Sequence, residues 1–308
     1  MTIARASIIR GPAVVMHRGL SLYTEGDISV TPNIEVFDTN TSMFGKVDKR
    51  RADILVDIEF TPVGEWEGLA VLYAHTTPAI GSSIFGADES VIIQTLAGKK
   101  LSYYAGAITK IPNITFSAVK PLLGPMKITA IGADNEAWSA TAHRAKVEAE
   151  AFSDTGFDPT KILTQAYVVG WSGAPWAAIE TEEGVSVEFD LGLKPVKVDS
   201  SGTVDMTLES LDVTAKFVPV GVSEDEVIAA LSMQGAGVLR GTSLLAASHD
   251  LTIAGTGVHA IVYNAAPGAG PLMFGRTILR AGEVVMHACR SFTDGVADPM
   301  FYVGTAAP

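Results

Sequence analysis

Cysteine is almost missing from this chain. A single residue, Cys289, stands among 308, so no disulfide can form within the molecule, and a lone thiol in an apolar stretch reads as a small core residue. Basic charge is scarce as well, with 22 Lys and Arg against 34 Asp and Glu and a net charge of −12. A protein that grips nucleic acid by its phosphates needs a basic stripe to displace counterions; this balance argues against such a grip, while an acidic wall lets a polyanion pass without holding it. No apolar run reaches the ~18–20 residues needed to cross a bilayer. The opening "MTIARASIIRGPAVV" lacks the apolar core and cleavage site of a signal peptide, which predicts synthesis in the cytosol and no membrane partner.

Catalytic and metal-binding signatures are also missing. The six histidines, His17, His75, His143, His249, His259 and His287, show no metal-ligand spacing, and they read as structural or exposed side chains. There is no nucleophile elbow, no Walker loop and no dinucleotide fingerprint. "SAVK" at 117–120 matches Ser-x-x-Lys without its companion motifs and reads as coincidence. The expectation is a chain that is not an enzyme, with no catalytic residue, no cofactor and no metal.

What the sequence does contain is one design written twice. "FTPVG" at 60–64 returns as "FVPVG" at 217–221, an offset of 157. With no gap, that offset also carries Thr24-Glu25 onto Thr181-Glu182, Ser29-Val30 onto Ser186-Val187, and Gly45, Val47 and Asp48 onto Gly202, Val204 and Asp205. Over the 41 positions from Thr24 to Gly64 there are 12 identities, where composition alone gives roughly 2 or 3. Downstream, Gly81, Ser83, Tyr103 and Ala105 fall on Gly241, Ser243, Tyr263 and Ala265 at 160, and Phe116 and Gly124 on Phe274 and Gly282 at 158. The chain divides into a first domain at 1–134, a connecting segment at 135–164, a second domain at 165–292 and a tail at 293–308.

Each repeat reads as mainly strand. "GDISVTPNIEVF" alternates Ile28, Val30, Ile34 and Val36 with Asp27, Ser29, Asn33 and Glu35, and its copy alternates Val185, Val187, Phe189 and Leu191 with Ser186, Glu188 and Asp190. Period two over ten residues is a half-buried antiparallel strand. A partner strand follows in each, through Ile54, Val56, Ile58 and Phe60 and through Leu211, Val213, Ala215 and Phe217, with a bulge expected near Glu209 and Ser210 where the alternation changes phase. Between the strands, 38–51 and 195–205 are polar, and each reads either as a long hairpin tip or as an extended loop. One helix per repeat is expected, over 65–75 and over 223–231, the latter opened by a Ser223/Glu226 capping box. Shorter strands complete each unit, giving two tandem β-sandwich or partial-barrel domains with one flanking helix apiece.

The stretch "GPAVVMHRGLSLYTEGDISVTPNIEVFDTNTSMFGKVDKRRADILVDIEFTPVGEWEG" resembles the start of the major tail tube proteins of long-tailed bacteriophages and prophages. The resemblance is strongest over 11–75 and reaches the second half through the repeat. It implies a virion structural protein whose hairpins join with those of neighbouring subunits into a closed barrel around a DNA channel. With two tube domains per chain, three chains would replace six in a pseudo-hexameric ring, and rings would stack into a non-contractile tube. The implied partners are further copies of the chain and other tail proteins at the tube ends, with DNA passing through unheld, and the implied location is the virion tail. Residues on the polar strand faces, Glu35, Asp57, Glu59, Glu188 and Asp190, are candidates to line the lumen or, equally, to face solvent outside. Phe44, Lys46, Lys49, Arg50 and Arg51 are candidates for contact between stacked rings. A DNA sliding clamp is the competing reading, ranked lower for its need of two helices per repeat and a basic hole, and a β-sandwich enzyme with paired carboxylates ranks below that.

Overall fold

The computed structural model describes residues 13–64, 69, 72–73, 80–85, 90–103, 105–117, 123–131, 145–152, 167–171, 176, 178–198, 202–220, 243–269, 272–274, 279–294 and 296–308. The protein is mainly β, and among the described residues the helical content is almost nil; a 3-10 turn spans Leu244–Ala247. The helices expected over 65–75 and 223–231 lie outside the described residues, save for Leu69, Leu72 and Tyr73, which are all buried.

The first half holds β1 (Ala13–His17), β2 (Leu20–Thr24), β3 (Ser29–Thr41), β4 (Gly45–Phe60), β5 (Pro62–Val63), β6 (Val91–Thr95), β7 (Lys99–Tyr103), β8 (Gly106–Lys110), β9 (Ile114–Phe116), β10 (Met126–Ala130) and β11 (Ala145–Ala149). One sheet runs β11-β7-β6-β1-β2-β5 and a second runs β3-β4-β10-β8. They pack as two layers: Val15, Leu22, Val91 and Ile93 of the first and Val56, Ile58, Phe60 and Ile128 of the second are buried in one cluster. Alternation explains the layering, since every second residue of a strand faces the same way.

The second half holds β12 (Val168–Trp171), β13 (Glu180–Val198), β14 (Gly202–Val220), β15 (His249–Gly255), β16 (Val258–Ala269), β17 (Leu272–Phe274), β18 (Leu279–Ala281), β19 (Val284–Ala288), β20 (Phe292–Thr293), β21 (Val296–Ala297) and β22 (Phe301–Gly304). Its main sheet runs β12-β15-β16-β19-β14-β13-β9, with β22 also on β16. The seventh strand on that path, β9, comes from the first half: Ile114, Thr115 and Phe116 pair with Val187, Ser186 and Val185. Among the described residues no sheet closes into a barrel.

The long polar stretches at 38–51 and 195–205 are hairpins, not loops. β3 pairs with β4 from Ser29↔Glu59 to Thr41↔Gly45, and β13 pairs with β14 from Ser186↔Lys216 to Val198↔Gly202 and back to Glu180↔Val220. Gly45 and Gly202 sit at the tips with φ of 68° and 73°, a left-handed turn conformation that glycine adopts without a Cβ clash. The registers correspond at the offset of 157 throughout, irregularities included. Pairing shifts after Glu35 and after Thr39 in the first hairpin, and after Gly192 and after Val196 in the second. The bulge expected near Glu209 and Ser210 is present, because Gly192 faces Ser210 while Leu193 faces Leu208.

Farther along, the correspondence differs from the sequence expectation. Thr95 pairs with Lys99 across a three-residue turn, whereas Gly255 pairs with Val258 across two. That one-residue deletion sets Tyr103 against Val262 and Ala105 against Asn264, an offset of 159, not 160. Ala105 and Asn264 share nearly the same positive φ, 49° and 48°, where β7 gives way to β8 and where the continuous β16 passes from its pairing with β22 to its pairing with β19. Residues 145–149, inside the stretch read as a connector, form β11 against β7, and 301–304, inside the stretch read as a tail, form β22 against β16.

Candidate assembly surface

The polar faces follow from register. Glu35 faces Asp53, Thr31 faces Asp57 and Ser29 faces Glu59 across the first hairpin, so Glu35, Asp57 and Glu59 share one face, opposite buried Val56 and Ile58. Across the second hairpin Glu188 faces Thr214 and Asp190 faces Asp212, which puts Glu188 and Asp190 on one face opposite buried Val187 and Phe189. The five carboxylates are not equivalent. Asp57 is the deepest: it accepts Asn33 Nδ2 and Thr129 Oγ1, each at 2.6 Å, and pairs with Lys127 Nζ at 2.8 Å. Glu188 pairs with Lys216 at 2.6 Å. Glu35 reaches Lys197 of the second hairpin at 2.7 Å, and that contact raises the Lys197 ammonium pKa through the hydrogen bond and the opposite charge. Glu59 and Asp190 are exposed, and no ion pair reaches either among the described residues.

The stretch 44–51 lies along the start of β4. Phe44 is 72% exposed beside Met43 at 81%, Lys46 pairs with Asp38 across the hairpin, and Lys49 is exposed. The side chains of Arg50 and Arg51 lie outside the described residues; their backbones pair with Phe37 and Val36.

The feature that sequence reasoning missed is the seat of the second hairpin on the first half. Gly81 N–H donates to Leu208 O at 2.7 Å, Ile84 N–H to Met206 O at 2.9 Å, and Leu208 N–H to Ser82 O at 3.0 Å. Ser83 and Thr207 therefore face each other as an antiparallel pair. Ser83 Oγ donates to Asp205 at 2.5 Å. Lower down, buried Asp53 accepts both the backbone N–H, at 3.2 Å, and the hydroxyl of Thr203. Beneath these bonds Ile84, Ala107, Ile131, Met206 and Leu208 form a cluster of their own, with Leu191 and Leu193 packed against it. Phe189 lies 5.4 Å from Tyr73 and 4.7 Å from Phe301, centroid to centroid. The joint is thus a strand pairing backed by an apolar floor, the construction that also makes stable interfaces between separate chains. The signal that could have found it is the small-polar "GSSIF" at 81–85, an extended segment with no strand alternation of its own.

Among the described residues no three His, Cys, Asp or Glu side chains gather as a metal site. Among the described residues no helix is long and apolar enough to cross a membrane. No protein-family model matches the chain, and none of the curated proteins matches it.

Proposed function

We propose that this chain is the structural subunit of a tube, of the kind built by the major tail tube proteins of long-tailed bacteriophages. On this reading it carries two copies of one tube domain, three chains form a pseudo-hexameric ring, and stacked rings enclose a channel for DNA. The observation that carries the reading is the hairpin correspondence. Two hairpins of 13 to 19 residues per strand pair alike at a constant offset of 157, bulges included. A bulge costs ladder bonds and sets a local twist, so two bulges at matching places favour a common origin and a common shape to be matched by neighbours.

The hairpins' carboxylate faces then line the channel, where acidic groups repel the phosphates of passing DNA. Asp57 and Glu188, held by lysines, stiffen the wall, while Glu59 and Asp190 carry charge into it. The exposed tip, Met43 and Phe44 with Lys46, meets the next ring. The resemblance supplies the viral setting; synthesis in the host cytoplasm and residence in the virion tail follow from it. Light scattering with negative-stain microscopy of the purified protein tests the reading: rings or tubes with threefold end views are expected, and a strictly monomeric protein at high concentration would overturn it.

A further inference from the structure

Both halves contain the same short strand pairing, and only one of the two has its outer edge filled. In the first half Ile114 faces Leu123; in the second, Leu272 of β17 faces Ala281 of β18, each residue 158 places on. The outer edge of β9 pairs with Val185, Ser186 and Val187, whereas β17 pairs with β18 alone among the described residues. The edge that β9 fills is also repeated. At the offset of 157, Val185, Ser186 and Val187 correspond to Ile28, Ser29 and Val30, and the pairing behind them agrees: Thr181↔Pro219 and Ser186↔Lys216 match Thr24↔Pro62 and Ser29↔Glu59. Between these pairs each chain segment carries a glycine at positive φ, Gly26 at 84° and Gly184 at 91°. A Cβ on Gly184 would stand 2.2 Å from the Phe116 carbonyl oxygen at the end of β9, while one on Gly26 would meet nothing within 4 Å. Val185 and Val187 are buried, but Ile28 and Val30 are half-buried at the margin of the core. Among the described residues β3 has β4 on one side and no strand on the other.

The backbone groups on that edge can be assigned. Phe189 N–H donates to Asn113 Oδ1 at 3.3 Å, away from β14. Bonding direction alternates along an antiparallel strand, so Val185 and Val187 direct their backbone bonds toward β9 and Ser186 directs its own toward β14. The same parity gives Ile28 and Val30 the outward N–H and C=O groups of β3. Pro32, the counterpart of Phe189, has no N–H to offer and ends the run. We propose that β17 of one copy adds to the outer edge of β3 in a second copy of this chain, antiparallel, with Leu272 opposite Val30, Met273 opposite Ser29 and Phe274 opposite Ile28. Main-chain hydrogen bonds join the two, as in other strand additions, and the short window before Pro32 guards the edge against longer, indiscriminate partners. The interface is head to tail: each copy offers one strand and one edge, so repetition closes a ring when the rotation permits and otherwise winds a filament. The inference deepens the assembly reading and rests on it only in that copies join one another.

Disulfide trapping tests the pairing. On this register Ser29 and Met273 form the non-hydrogen-bonded kind of antiparallel pair, in which Cα atoms stand roughly 4.5 Å apart, within reach of a disulfide. In a Cys289→Ser background the S29C/M273C protein is oxidised mildly. Disulfide-linked oligomers are expected on a non-reducing gel from this protein and from neither S29C nor M273C alone. T115C/S186C, the same pair in its filled form, bridges inside one chain and gives no oligomer. Should a cysteine variant lose the wild-type melting transition, hydrogen exchange of the wild-type protein replaces it, with the Val30 amide expected to exchange slowly in the assembled protein and fast in the dilute monomer. Rings or tubes without linked oligomers, or with a Val30 amide that exchanges as fast as in the monomer, overturn this pairing and leave the tube reading standing. Monomers throughout, without linked oligomers, overturn both.

Discussion

The two hairpins share a register and differ in company. The second lies on the first half, with Leu191 and Leu193 packed into a cluster and Asp205, Met206 and Leu208 hydrogen-bonded to 81–84. The first has the equivalents of Leu191 and Leu193 in the open, Ile34 and Val36 each about half exposed. Burial of these positions is therefore a property of which neighbour is at hand and not of the strand's own pattern. A hairpin whose apolar residues find no cover within the chain carries an aggregation hazard unless another chain supplies it.

The comparison breaks most sharply at Phe189 and its counterpart Pro32. Phe189 is 7% exposed between Tyr73 and Phe301, so Phe189→Ala is expected to cost about 3–5 kcal/mol of stability, whereas Pro32→Ala, on an exposed position, stays within about 0.5 kcal/mol. Urea denaturation of the two variants measures the contrast, and equal losses would mean that the first hairpin is as well covered as the second.

Next in size is Gly184→Ala. The residue is at φ 91° and the new Cβ would meet the Phe116 carbonyl, so a loss of about 2–3 kcal/mol is expected from backbone strain and lost β9 pairing. Asp27→Ala, at the corresponding place, leaves the urea midpoint unchanged. Smaller again is Thr203→Val, which takes the hydroxyl donor from buried Asp53 and is expected to cost about 1–2 kcal/mol.

Alkali sharpens the comparison from another side. Burial pushes the Tyr73 hydroxyl pKa well above its usual value, and those of Tyr103, Tyr167 and Tyr263 upward. The unfolded chain then loses these protons more readily than the folded one. Stability is expected to be fully present below about pH 10, the ordinary tyrosine value, and to fall above it. Tyr73→Phe removes a hydrogen bond of 2.9 Å to Pro112 O, costing about 1 kcal/mol at neutral pH, and makes the alkaline fall shallower in urea titrations between pH 8 and 11.5. The smallest effect belongs to Glu35→Gln: its pair with Lys197 is exposed on both sides, and exposed pairs contribute little, so the melting temperature should stay within error.

Much of this architecture was legible in the sequence, and the rest failed for identifiable reasons. The strands over 91–95, 126–130, 249–255 and 284–288 follow from alternation and β-branched content, and the bulge at Glu209 from a change of phase. The offset could be read because packed strands tolerate no insertions. The alignment slipped at Tyr103 because turns do tolerate them, and the tyrosine and alanine identities at 103 and 105 outweighed a one-residue deletion in the turn just before β7. β11 lies in a connecting stretch whose sequence allows either helix or alternating strand, and β22 in one that reads as tail; each is short and finds its place only against a distant edge, β7 or β16. Alternation assigns the carboxylates to strand faces but carries no information on which of them meets a lysine, and so the difference between Asp57 and Glu59 appears only in three dimensions. The seat at 81–84 was invisible because its strand character is borrowed from β14.

The passage of β9 into the second half's sheet has a consequence for how the polypeptide emerges from the ribosome. Phe116 leaves well before Val185, its partner, and at the usual pace of translation, about 5–20 residues per second, that edge waits for several seconds. During the wait the first half is a nearly finished layer with a bare border, and whatever strand arrives there first decides whether the nascent chain completes itself or is completed by a stranger. Placing the two halves on a single polypeptide puts the correct strand next in line, at an effective concentration no separate molecule in the cell can match.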